Sequence, residues 1–472
     1  MMLFTIALRN ILRNRRRSAM TVAAIAVGAV AMLIFGAFTT FVILGVRTTT
    51  VQHSGHLVVL RTGYFAFGTG NPAAYGIPDY RGVMKTIADD PVVGPMIDVI
   101  TPTVNLFGIA GNFAVDASRT FIGTGVVPAD RDKMRHWNQY HLGAGSRRPA
   151  PMPDLLSDDD ITKGAIGVGL ARTLGLCAQL QIPNCPAMPA PQAENTIAGA
   201  APLPDIANLA GTDKDTTDTA GPKCDKARID LLSATAGGAP NVVSFCVAGT
   251  DQQSAKELDD GYVGMNLQLA QQLVYGRGEH KATGIVLLLT RTEDMGAARA
   301  RLNAIFKEKG LDLEVHDFTE LNPIYNQIIG FFGAIFSFIA VIMVVIVLFT
   351  VVNTMSMSVM ERINEIGTTR ALGVRRSGIR RQFLVEGSLL GGIGATLGVV
   401  LALVIATIVN NAGLTWTPPG QSGSVPLFLW LTGAPGLIVG AWLVLIVVAT
   451  IASLVPASRA ARMAVVDALR HV

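Results

Sequence analysis

Three stretches of this chain, residues 18–46, 321–360 and 387–458, contain no Asp, Glu, Lys or Arg. Runs of that length without charge belong inside hydrocarbon, where one helical pass takes about 20 apolar residues. The chain is therefore expected to be an integral membrane protein. The first two runs hold one span each. The third is too long for one pass and is divided by Asn410, Asn411, Gly413, Trp416, Pro418, Pro419 and Gly420, a cluster that stops a helix and puts a tryptophan at an interface. Four transmembrane helices are expected, over residues 19–47, 323–353, 383–410 and 427–455. A cleaved signal peptide is the competing reading of the first run, but its 29 residues exceed an ordinary apolar signal core and no clear small-residue cleavage site follows.

Basic residues near span ends stay on the cytoplasmic side. Arg9, Arg13, Arg15, Arg16 and Arg17 precede the first span, Arg362, Arg370, Arg375, Arg376, Arg380 and Arg381 join the second to the third, and Arg459, Arg462 and Arg470 follow the fourth. The segment between the first two spans holds 23 basic and 30 acidic residues, so a whole-chain net charge of +4 hides two opposite halves. Both termini, residues 1–18 and 456–472, and the connecting segment 354–382 are thus expected in the cytoplasm, with residues 48–322 and the short loop 411–426 outside. All four cysteines, Cys177, Cys185, Cys224 and Cys246, fall in the outer segment, which suits disulfides, with four small buried thiols as the alternative; of three pairings, Cys177 with Cys185 and Cys224 with Cys246 is preferred.

The outer segment is expected to be a large α+β domain. Strand patterns occur at 55–61, 99–109, 284–290 and 311–318, with helical spacing at 80–90 and 293–309. Residues 183–224 are rich in Ala, Pro, Thr, Asn and Asp and read as an insertion or mobile loop. Asp158, Asp159 and Asp160 are better explained by a turn than by a cation, no Cys/His spacing suggests a metal, and the scattered histidines carry no assignable role.

Mechanism is constrained by what is missing. Ion-coupled transport places ionisable groups near the bilayer midplane; here the one charge within reach of a span is Glu386, close to the cytoplasmic end of the third. No phosphate-binding loop with its lysine occurs, and the run from Gly164 to Gly169 lacks that lysine. The energy source is then a partner's. A docking point is legible between the second and third spans: Glu361 and Glu365 one turn apart, Ile363, Ile366 and Leu372 as apolar contacts, and Gly367 and Gly373 as bends form a candidate rigid knob. Gly387, Gly391, Ala395 and Gly398 in the third span, and Gly436 and Gly440 in the fourth, let helices approach closely, either within one chain or between two copies.

This connecting segment, Glu361-Arg362 through Glu365-Ile366-Gly367 to Arg370-Ala371-Leu372-Gly373, followed by Phe383-Leu384 and Glu386, resembles the permeases of the ABC transporter superfamily that unites MacB-type exporters, LolC/LolE-type lipoprotein-releasing permeases and FtsX. The arginine-rich start, the C-terminal ending around Asp467 and the outer runs 54–60, 121–128 and 167–171 resemble the same family, most closely its lipoprotein-releasing type. The resemblance implies an amphipathic helix on the inner surface of a bacterial inner membrane, and a coupling helix at residues 361–373 that inserts into a partner ATPase. Phe383, Leu384 and Glu386 would begin the third span. It further implies an ATPase dimer that binds ATP and magnesium, so that this chain holds no cofactor and is not itself an enzyme. A second permease copy would meet it at the first and second spans, where Gly28, Gly36 and Thr40 mark one face. Membrane lipids and a periplasmic adaptor or acceptor protein complete the implied partners, and no nucleic acid is among them. The expected function is extraction or export of hydrophobic or lipid-anchored cargo, lipoproteins first, by mechanical transmission; the alternatives are efflux of amphipathic small molecules or peptides, and regulation of a cell-wall hydrolase.

Overall fold

The computed structural model describes residues 2–13, 15–142, 155–182, 185, 224–253, 256–276, 278–416 and 425–463. Most of the expected insertion, the ending around Asp467, and Pro418, Pro419 and Gly420 of the third charge-free run lie outside the described residues.

The chain starts with α1 (Met2–Arg13) and α2 (Arg15–Ser54). At 40 residues, α2 is about 60 Å long, twice the roughly 30 Å of a hydrocarbon core. It therefore continues well beyond the apolar run that predicted it. The chain next forms β1 (Leu57–Arg61), α3 (Tyr64–Phe67), α4 (Tyr80–Ala88), β2 (Ile97–Asn112), β3 (Ala117–Val126), α5 (Pro128–His136), β4 (Lys163–Ile166), α6 (Val168–Thr173) and α7 (Cys177–Leu180). It continues through β5 (Ala227–Ala234), β6 (Pro240–Thr250), α8 (Lys256–Asp259), β7 (Tyr262–Asn266), α9 (Leu267–Tyr275), β8 (Gly284–Leu289), α10 (Met295–Lys309), β9 (Leu313–Asp317) and α11 (Phe318–Leu321).

These strands make a nine-stranded sheet in the order β3-β7-β4-β6-β5-β2-β8-β1-β9, and an additional pairing of β3 with β2 closes six of them into a ring. The long strand β2 is shared. Its first half pairs with β8, from Ile97 opposite Leu289 to Thr103 opposite Gly284; its second half pairs with β3 and β5. The ring encloses Val104, Leu106, Phe121, Leu231, Phe245, Val263 and Met265, with α6 and α9 packed against the same core. A small ring leaves no room for side chains where strands cross closely. At Gly108 an added Cβ would strike the Leu232 carbonyl and lie 2.6 Å from the Phe121 ring. Beside the ring, α4 and α10 cover β8, β1 and β9 over a second core containing Leu57, Ile87, Leu287, Leu302 and Phe306. Disulfides join Cys177 to Cys185 and Cys224 to Cys246.

The remaining helices are α12 (Pro323–Glu361), α13 (Ile363–Ala371), α14 (Arg376–Asn411) and α15 (Pro435–Arg462), with the two-residue strands β10 (Thr415–Trp416) and β11 (Val425–Pro426) between the last two. Among the described residues four helices, α2, α12, α14 and α15, are long and apolar enough to cross a membrane. Their bounds depart from the expected spans. α14 starts at Arg376, ahead of Phe383, because arginines are good helix formers and charge alone does not end a helix. α15 starts at Pro435 instead of residue 427: Leu429 is held as loop, its N–H donating to Asn410 Oδ1 at 2.7 Å while Asn410 Nδ2 donates back at 3.1 Å, and Pro435 opens the helix.

The small-residue stripes of α14 and α2 are filled from within the chain. A Cβ on Gly387 would lie 2.6 Å from that of Ser453, one on Gly391 2.8 Å from that of Ala449, and one on Gly394 2.7 Å from that of Ile25. Gly28 likewise faces Val347 and Gly36 faces Leu437 and Phe336, so the face of α2 expected at a subunit interface is turned to α12 and α15. Gly436 and Gly440 meet open space.

Where α2 passes into β1, His56 is fully buried. Its Nδ1 accepts the Leu289 N–H at 3.0 Å and its Nε2 lies 3.1 Å from Thr292 Oγ1. Burial, with a smaller opposing pull from Glu293 and a further push from Arg47, brings its imidazole down to about 4. The unfolded chain therefore takes up this proton first. The stability His56 confers is complete above pH 6.5 and falls as the pH drops from 6.5 toward 4, by about 1 kcal/mol at pH 5.5. Thermal midpoints at pH 7.5 and 5.5 should diverge in the wild type, with the gap reduced in His56→Gln.

Candidate coupling interface

Arg362 leaves helical geometry with φ −111° and ψ 19°, which separates α12 from α13 and turns the shorter helix aside. Gly373, at φ +97°, adopts a left-handed conformation that favours glycine and ends the excursion before α14. Gly367, expected as a bend, instead sits buried inside α13.

The faces of α13 are sorted differently from the expected knob. Ile363 and Ile366 are buried, and Ile366 packs in a core with Ile11, Val359, Ile379 and Phe383. They secure α13 to its own chain and are unavailable to a partner. Leu372 is 82% exposed, with Ala371, Gly373, Val374, Arg375 and Arg376 exposed around it. The presented surface is therefore the turn after α13, an apolar tip flanked by arginines.

Charges fasten this tip from behind. Arg13 Nη2 donates to both carboxylate oxygens of Glu365, at 2.6 and 2.9 Å, and Arg17 pairs with Glu361. Arg362 Nε donates to Glu365 at 3.2 Å, while its Nη1 lies 3.3 and 3.5 Å from the carboxylate of Glu386 on α14. The Arg362 and Glu386 side chains are only 9% and 6% exposed, and the guanidinium lies 5.8 Å from the centre of the Phe383 ring. Arg370 donates to the Met463 carbonyl just after α15. Of the glutamates read as docking charges, Glu361 thus ties the end of α12 to α2 and Glu365 ties α13 to α1, while the link to α14 is the Arg362–Glu386 pair. Glu386, the isolated acid of the third span, has a cation that the sequence does not place beside it. Leu384 is half-buried on α14 and makes none of these polar contacts.

Other candidates resolve into structural parts. The glycine-rich run from Gly164 to Gly169 has its anion position filled from within: Asp259 accepts the Val168 and Gly169 N–H groups at 3.1 and 2.8 Å. Asp160 closes a turn on Thr162, and no group of three or more potential metal ligands exists among the described residues.

Residues 337–465, which comprise most of α12 and all of α13, α14 and α15, match the family described as FtsX-like permease C-terminal. The macrolide export ATP-binding/permease protein MacB of Bordetella avium is 49% identical over 76 residues, 16% of this chain and 12% of that protein. ABC transporter permease YtrF of Bacillus subtilis is 34% identical over 138 residues, 28% of this chain and 31% of its own. An uncharacterised ABC transporter permease of Methanocaldococcus jannaschii is 24% identical over 228 residues, 48% of this chain and 55% of its own. The chain thus spans between 12% and 55% of the length of these relatives.

Proposed function

We propose that this chain, whose residues 337–465 match the FtsX-like permease C-terminal family, is the membrane subunit of an ABC transporter whose ATP is bound and hydrolysed by a separate partner. The observation that carries the reading is the exposed Leu372 tip on a helix tied by ion pairs to α1, α12 and α14. A surface that must accept force from a partner needs an apolar anchor on a base that does not yield, and this site has both. Closure of two ATPase subunits would move the tip, and the long helices α2 and α12 would carry that motion to the sheet domain, where hydrophobic or membrane-tethered cargo is engaged.

The absence of ionisable groups along the middle of the four long helices supports work done beyond the bilayer over passage of a polar solute through it. Lipoprotein release remains the cargo reading that follows from the chain's own resemblances. The macrolide-export names of several relatives favour efflux of amphipathic small molecules as the second reading. Reconstituted with its ATPase, the complex should release acylated protein to a soluble acceptor under the first reading and show drug-stimulated ATP turnover under the second.

The docking claim has its own test. Leu372→Asp should weaken ATPase association by about 2 kcal/mol, roughly 30-fold, as expected for an interface anchor, and leave the fold intact. Normal association and turnover in this variant would remove the tip from the interface.

A further inference from the structure

The end of α2 is gripped by a helix it does not lead into. Arg131, on α5, is 6% exposed, and its Nη1 donates to the main-chain oxygens of Gln52 and His53 at 2.9 and 2.7 Å. These carbonyls lie in the last turn of α2, where the helix offers no further N–H and its dipole is negative, so a buried guanidinium is the matching cap. Gln52 reaches back the other way: its Nε2 donates at 2.7 Å to the carbonyl of Trp137, the residue that ends α5. One turn further along α5, on the same face, Arg135 pairs with Asp251 at 3.2 Å, with Asp251 immediately after β6.

Topology turns this grip into a joint. The chain leaving α2 enters β1, so displacement of α2 passes covalently to β1 and through its ladders to β8 and β9. The six-stranded ring shares β2 with that wing. α5 follows β3 with Val127 alone between them, and β3 pairs with both β2 and β7. The Arg131 contact thus connects α2 to the ring directly, without passing through the wing.

We propose that Arg131 is a positioning residue that makes the six-stranded ring follow the end of α2 as one body. The proposal rests on the transmission reading given above. Without the joint, the wing would still respond to α2 while the ring lagged behind, since β2, the strand the two share, would be left to carry the displacement.

The test uses the full chain with its ATPase in lipid nanodiscs and follows hydrogen exchange by mass spectrometry, without nucleotide and with ATP plus vanadate. In the wild type, peptides from both the wing (β1, β9) and the ring (β3, β7) should change exchange on nucleotide trapping. Arg131→Met should lose the change in the ring and keep it in the wing, with ATP hydrolysis retained; Arg131→Lys, which keeps a cation at the helix end, should retain it. A ring response unchanged in Arg131→Met overturns the joint alone. A wild type that shows no change in either part overturns the transmission reading, and the joint with it. If Arg131→Met loses ring protection before nucleotide is added, Gln52→Leu replaces it: a weakened ring response there supports the joint, and an unchanged one overturns it.

Discussion

Replacing Arg362 by methionine should destabilise the protein by about 3–5 kcal/mol, because it leaves the Glu386 carboxylate buried without its cation. Both side chains are nearly closed to solvent, and the pair is the contact between the start of α13 and the body of α14. The charge-reversed variant Glu386→Lys should be as damaging, since two cations would then face each other in the same space. The double variant Arg362→Met with Glu386→Leu should recover most of the loss, since removing both charges together removes the cost of desolvating them. Reversible unfolding in mixed detergent micelles, read across the four corners of this cycle, measures it. Comparable losses in the double and single variants would mean that the pair does not act as a unit. Leu372 lies nine residues beyond Ile363, at the far end of the same excursion, so the single variants should also weaken ATPase docking even though neither residue is exposed to a partner.

Gly398→Leu should cost about 3 kcal/mol, the upper end of the overpacking range, because the obstruction is main chain and cannot rotate away. A Cβ there would collide with that of Ala29 and lie 2.8 Å from the Ala26 carbonyl oxygen and 3.1 Å from its Cα. Membrane helices gain little from hiding apolar surface from other apolar surface, so this close approach of α14 to α2 is a principal source of their affinity. Gly440→Leu is the control: nothing lies within 4 Å of its added Cβ, and unfolding in detergent should be nearly unchanged. Equal effects in the two variants would contradict the packing described here.

The four long helices were legible because charge is excluded from hydrocarbon over tens of residues, a signal that survives any detail of packing. The strands β1, β2, β8 and β9 were legible from alternation and apolar runs. Ring closure was not, because pairing Ile109 with Leu232 joins residues more than a hundred positions apart, and neither strand's pattern specifies its partner. The coupling segment shows the same divide. Its place between two spans and its helical character were readable, whereas the inward turn of Ile363 and Ile366 depends on where Arg362 breaks α12. Glu386 stood out as an isolated acid, but only the fold brings Arg362 beside it. Arg131 gave no signal at all: in the polar helix Pro128–His136 it resembles any solvated arginine, and its role follows from the end of α2 arriving next to it.

Transmission requires that the Leu372 tip and the sheet domain lie on opposite sides of one membrane. Single cysteines introduced at Leu372 and at Val242, an exposed position on β6, can be probed with a membrane-impermeant maleimide in sealed vesicles of known orientation, with the four native cysteines held in their disulfides. In right-side-out vesicles Val242→Cys should label at once and Leu372→Cys only after the membrane is opened, with the order reversed in inverted vesicles. Labelling of both positions from the same side would leave the tip and the sheet domain with no bilayer between them, and the proposed relay could not operate.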